Sequence, residues 1–118
     1  MKLLAVCTTV GRDEDARRLA DAAIAQRLAA CVHIEPIESV YRWQGAVQHD
    51  TERRLTFKTS EAAAPALRAL ILAGHPYELP AVWAFEVVDA SDAYVAWVAG
   101  ELGATNDDVG DGAPLLTR

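Results

Sequence analysis

Two cysteines, Cys7 and Cys31, and three histidines, His33, His49 and His75, carry the strongest ligand chemistry of this 118-residue sequence. Thiolate and imidazole are ligands for soft and borderline cations such as copper and zinc. No pair of these residues has the short spacing of a zinc or iron–sulfur motif, so any site must be assembled by the fold. An enzyme would need a nucleophile beside a base, or paired carboxylates. A cysteine hydrolase built on Cys7 or Cys31 with His75 has no motif behind it, and no catalytic activity is expected. The plainer roles are two small buried thiols and a His75 that caps a helix end.

The elements that must position these residues can be read from periodicity. Leu3 to Val10 is apolar almost throughout, as in a strand buried on both faces. Asp13 can cap a helix with an acidic first turn, and Ala16, Leu19, Ala20, Ala23, Ile24 and Leu28 give it an apolar stripe ending near Ala30. Ser60 can cap a second helix, with Leu67, Leu70 and Ile71 inward and Gly74 as its stop. A stiff loop from His75 to Pro80 leads to a strand over 81–88. Ser91 caps a third helix carrying Tyr94, Val95, Val98 and Leu102, which Gly103 ends. Residues 1–103 form one domain, and the Gly- and Asp-rich stretch 104–118 is expected to be a flexible tail.

Between the first two helices lies one long hairpin, Cys31 to Thr59, bent at Trp43-Gln44-Gly45. Each arm is about twice the usual strand length. Its base, with Val32, Ile34, Leu55 and Phe57, belongs to the domain's own core. Its outer part, with Tyr41, Trp43 and Val47, stands in water unless another subunit covers it. Pro36 breaks the alternation of Val32 and Ile34, and Ile37, Ser39, Tyr41 and Trp43 then share a face. A bulge or an edge position would explain the change of phase. The order β-α-β-β-α-β plus a terminal helix defines an α+β class: a ferredoxin-like sandwich, with an extended hairpin between its second and third strands and an extra C-terminal helix.

Composition excludes several classes. Hydrophobic residues make up 52% and the formal charge is −6, with no basic run or helix face, so nucleic acid is not an expected partner. No span approaches membrane length. The apolar N-terminus is cut short at Thr8 and Thr9, too early for a signal peptide. A cytoplasmic location with both thiols reduced is the simplest expectation.

Several segments together resemble one family. They are Cys7-Thr8-Thr9, Arg27-Leu28-Ala29-Ala30-Cys31-Val32 and Ser39-Val40-Tyr41-Arg42-Trp43-Gln44-Gly45, then Glu52, Lys58-Thr59, His75-Pro76-Tyr77-Glu78-Leu79-Pro80 and Tyr94-Val95-Ala96-Trp97. In order and spacing, over about residues 3–102, the chain is similar to the CutA proteins, the divalent-cation tolerance proteins. The resemblance implies a tight homotrimer, similar in architecture to PII signalling proteins, and a link to tolerance of copper and other divalent metals. It implies no obligatory cofactor and no known reaction. The chain departs from the family pattern at Ala81, where Glu is usual, at Gly74, where some copper-binding members carry a second His, and at His33, where Asn is common.

In a ferredoxin-like sheet the first and fourth strands are neighbours. Cys7 with His75 is then the best metal pair, and Cys31, toward the opposite edge and end, is a lesser candidate. Tyr41, Trp43, Tyr77, Tyr94 and Trp97 are candidates for a subunit interface or an inter-subunit cleft. Glu52 and Lys58 would pair across subunits or hold a small anion there. The main expectation is a homotrimer that binds divalent metal, copper foremost, weakly. The alternatives are a PII-like module taking a small anion at its clefts, and a scaffold whose work is assembly alone.

Overall fold

The computed structural model describes residues 1–103, so the expected tail, 104–118, lies outside the described residues. The elements run β1 (Leu3–Val10), α1 (Asp13–Ala25), β2 (Cys31–Trp43), β3 (Ala46–Ser60), α2 (Ala64–Gly74), β4 (Val82–Glu86) and α3 (Asp92–Glu101). The four strands form one antiparallel sheet in the order β2-β3-β1-β4, as the ferredoxin-like order requires.

Period-two alternation sorts the sheet into two faces. Val6 and Val10 of β1, Leu55 and Phe57 of β3, and Val32 and Ile34 of β2 point to one face. There they meet Ala16, Leu19 and Ala23 of α1 and Leu67 and Ile71 of α2. Burying each large side chain of this set stabilises the fold by about 1.5–3 kcal/mol. Leu3, on the other face, packs with Val98 and Leu102 of α3 in a smaller cluster at one end of the sheet. Among the described residues, the rest of that second face carries no helix.

Helix boundaries differ from expectation where side-chain chemistry displaced the usual signals. Asp13 is not a cap: the preceding Arg12 is extended and makes no side-chain cap bond. The Asp13 carboxylate instead accepts from Arg17 Nε at 2.8 Å. α1 ends at Ala25, earlier than Ala30, because Arg27 takes a left-handed φ of 57°. Leu28 N–H bonds Ala23 O at 2.9 Å and Arg27 N–H bonds Ile24 O at 3.0 Å, the paired closure of a Schellman motif. Glycine usually fills that position, so Arg hid the stop. Ser60 caps a preceding turn through Ala63 N–H at 3.0 Å, and α2 itself starts at Ala64, where Pro65 in the first turn favours it. Ser91 does cap α3, accepting from Tyr94 N–H at 3.4 Å. The last strand is shorter than expected, Val82–Glu86.

The hairpin pairs residue for residue from Cys31↔Lys58 to Trp43↔Ala46. Its two-residue turn has φ of 50° at Gln44 and 80° at Gly45, as a type I′ turn needs. Pro36 pairs with Arg53 in unbroken register, so there is no bulge. β2 is an edge strand, where a missing N–H costs no ladder bond on the open side. The apolar residues change phase because the covered face changes: Val32 and Ile34 point to the helices, while Ile37, Tyr41 and Trp43 point to the helix-free face. The molecule is elongated, with principal extents of 53, 26 and 22 Å.

Candidate functional site

Cys7 and Thr8 are neighbours on β1, so their side chains leave the sheet on opposite faces. This separates the expected metal pair. His75 packs on Thr8, with Nε2 3.0 Å from the Thr8 hydroxyl and 3.0 Å from the Thr9 carbonyl. A carbonyl only accepts, so Nε2 carries the proton and donates. Nδ1 accepts from the Tyr77 N–H at 3.1 Å. Both ring nitrogens are spent in the neutral imidazole, and burial pushes the His75 pKa below its ordinary value. The Thr8 hydroxyl donates to the Ala81 carbonyl at 2.7 Å. His75 therefore braces the 75–81 loop against β1; it neither caps carbonyls of α2 nor faces Cys7.

Cys7 lies on the second face, buried, with Sγ 3.9 Å from the Thr56 hydroxyl, and burial raises its pKa. The register sets two rows of side chains across this face. One runs Trp83, Cys7, Thr56, His33; the next runs Phe85, Ala5, Lys58, Cys31. Cys31 thus sits at the opposite edge from β4, as expected, but only one row from Cys7, not at the far end of the sheet. Its Sγ is 3.6 Å from Nε2 of His33. Lys58 makes no ion pair among the described residues, and its charge counteracts the rise in the Cys7 pKa. Trp83 and Phe85 remain 41% and 52% exposed at the rim. Sequence reasoning passed over both, although their period-two spacing was the available signal.

The remaining candidates fall into separate groups. At the outer end of β1, Tyr77 lies against Gly11, where an added Cβ would come 3.1 Å from its hydroxyl. That hydroxyl donates to Glu52 Oε2 at 2.7 Å, and Glu52 is only 7% exposed. Burial, then the carboxylate, raises the Tyr77 pKa well above its ordinary value. Glu52 was expected to pair across subunits; within the chain its partner is Tyr77. Tyr41 on the hairpin donates to Asp50, which raises its pKa. Trp43, at the tip, and Val47 are largely exposed. At the other end of β1, Tyr94 and Trp97 of α3 stack with ring centroids 5.9 Å apart beside Leu3. A single chain therefore does not gather these aromatics into one pocket.

On the helical side, Asp13, Arg17, Val32, Ile34, Pro36 and Arg53 line an open depression of about 490 Å³. Arg27, whose sequence segment carried resemblance but no assigned role, bonds the Glu101 and Gly100 carbonyls at 2.9 and 3.2 Å and closes the end of α3. Among the described residues, no three His, Cys, Asp or Glu side chains converge as a metal site, and no helix is long and apolar enough to cross a membrane.

The arrangement has close counterparts. The Divalent-cation tolerance protein CutA of Thermus thermophilus is 40% identical over 99 residues, 83% of this chain and 96% of that protein. The chloroplastic protein CutA of Arabidopsis thaliana is 40% identical over 96 residues, and the chain spans about half, 53%, of its length. The structure of CutA from Synechococcus elongatus superposes with a TM-score of 0.83 at 40% identity, over 86% of this chain and 90% of that one. The model of the CutA1 divalent ion tolerance protein family matches residues 4–101, from the first strand to the end of α3. With the family model matched over residues 4–101 and the fold shared with a relative at 40% identity, the chain belongs to the CutA1 divalent ion tolerance protein family.

Proposed function

We propose that the chain serves divalent-cation tolerance as a non-catalytic homotrimer that binds metal weakly. The observation that carries the assembly is the incompletely covered sheet face, with Trp83 and Phe85 at its rim and the hairpin extending beyond the core. Apolar aromatics on an open face mark an interaction surface. Among the described residues both sheet edges are also unpaired: β2 along 13 residues and β4 along 5. Unpaired edges favour pairing with another chain. The number three comes from the family resemblance. Cys7 and Cys31 are free thiols, which suits the reducing cytoplasm as the working compartment.

Light scattering tests the assembly. The expected species has three times the 12.7 kDa chain mass, and a monomer at micromolar concentration would refute it. A second reading, a PII-like module for a small anion, draws support from Arg17 and Arg53 in the open depression. Asp13 pairs with both guanidiniums and weakens that reading. Thermal-shift measurements with nucleotides separate the two: a shift with an anion and none with metal favours the second.

A further inference from the structure

We propose that the 75–81 loop is an acid-released clasp: protonation of His75 frees Tyr77 from Glu52 and thereby loosens the contact between copies of the chain. The loop straddles the outer end of β1. On the helical side His75 is held by Thr8 and Thr9. Tyr77 passes over Gly11, and its hydroxyl reaches Glu52 at 2.7 Å. Glu52 lies four residues before Thr56 on β3, so it faces the helix-free side with Cys7. One short loop thus ties the buried helical side to the face proposed for assembly.

The neutral imidazole fixes every role in the chain of bonds. Nε2 donates to the Thr9 carbonyl, and Nδ1 accepts the Tyr77 N–H at 3.1 Å. A second proton goes to Nδ1, and that nitrogen becomes a donor facing a donor. The bond to the Tyr77 backbone is lost, and the two N–H groups part. The rings of His75 and Tyr77 pack at 5.0 Å, so displacement of one disturbs the other. Among the described residues Tyr77 is the one hydrogen-bond partner of Glu52, which is 7% exposed. Without that donor the carboxylate turns toward water or takes up a proton. Either change alters the assembly face beside Ile37, the cross-strand partner of Glu52.

The surrounding charges set the direction. Burial acts most strongly and keeps the ring neutral, and Arg18 of α1 acts with it. Asp15 of α1, Glu52 of β3 and the Thr9 carbonyl favour the proton. Tyr41 and Asp50 of the hairpin face Tyr77 and keep its hydroxyl protonated, as a donor must be. The clasp is therefore closed at neutral pH and opens below the ordinary histidine value of 6.5.

The effect on assembly rests on the proposed trimer, whereas the opening of the clasp does not. Nuclear magnetic resonance of the full-length protein, from about pH 8 to about pH 4.5, follows the His75 ring and the Tyr77 amide. Both are expected to shift with one shared midpoint below 6.5, and His75→Gln removes the step at the Tyr77 amide. Light scattering on dilution reads assembly. Half-dissociation of the parent is expected at a concentration about threefold or more higher at pH 5 than at pH 7.5, with no such difference in His75→Gln. Tyr77→Phe keeps the His75 titration and loses the pH step in assembly. Different midpoints for His75 and Tyr77, or a Tyr77 step that persists in His75→Gln, would overturn the clasp. Shared midpoints with pH-independent assembly would overturn its link to the contact. A parent that is monomeric at neutral pH would overturn the trimer, and the Tyr77 amide still decides the clasp. Should His75→Gln not fold, the two midpoints of the parent decide.

Discussion

The hydroxyl of Tyr77 donates to the carboxylate of Glu52 at 2.7 Å and so fastens the loop after α2 to the middle of the hairpin. The two residues lie on elements with no other close side-chain bond between them in the described residues. Glu52 is nearly buried, so this hydrogen bond largely determines how well its carboxylate is satisfied. Tyr77→Phe removes the donor and leaves the oxygen unmatched. The expected loss is about 1–3 kcal/mol of stability, read as a lower urea midpoint. Tyr77→Phe combined with Glu52→Gln should cost less than the sum of the two single changes, which a double-mutant cycle checks.

His75 sets a pH dependence. Burial holds its folded pKa below the ordinary 6.5, while Thr9, Asp15 and Glu52 pull the other way and Arg18 supports the depression. The unfolded chain then binds a proton more readily than the folded one. Stability from this group is complete above about pH 6.5 and declines as pH falls toward the lower folded value. Urea midpoints of the parent protein and His75→Gln, compared from about pH 8 to about pH 5, should diverge in slope below 6.5. Parallel curves would show that His75 is not buried neutral.

Arg27 combines an unfavourable backbone with a useful side chain. A left-handed φ at a non-glycine residue costs about 1–2 kcal/mol, and here the guanidinium caps α3. Arg27→Ala keeps the strain and loses the cap, whereas Arg27→Gly loses the cap and relieves the strain. Alanine should therefore be the less stable variant, by about 1 kcal/mol, in thermal or urea unfolding.

Charge on the open face should interfere with assembly. Phe85→Arg sets a guanidinium into each copy of the proposed contact, and Trp43→Ala removes an aromatic from the hairpin tip. Both are expected to lower the mass measured by light scattering on dilution, Phe85→Arg more strongly. An unchanged trimer in both variants would place the interface elsewhere.

Much of the fold was legible because the sequence signals are local. The apolar run of β1, the stripe of α1, the Ser91 cap and the Gln44-Gly45 turn each state their structure within a few residues. The missed features depend on partners distant in sequence. Arg27 ends α1 because it also serves α3, and nothing near Arg27 shows that. Asp13 is drawn from capping by Arg17 and, more weakly, by Arg53. The pairing of Cys7 with His75 failed on parity: strand adjacency brought β1 and β4 together, but one residue of offset put the thiol and the imidazole on opposite faces. The same parity puts Cys31 and His33 on one face, and only their separation in space shows that they meet.

The hairpin also bears on the order in which the chain is made. Its thirteen residue pairs join positions no more than 27 residues apart, and they can form as soon as Ser60 has been synthesised. β4 pairs with β1 only later, once Val82 to Glu86 have been synthesised. Until then β1, one of the two central strands of the finished sheet, is a free edge on a nascent chain. During translation a strand that is later central and protected is open to pairing with a neighbouring polypeptide.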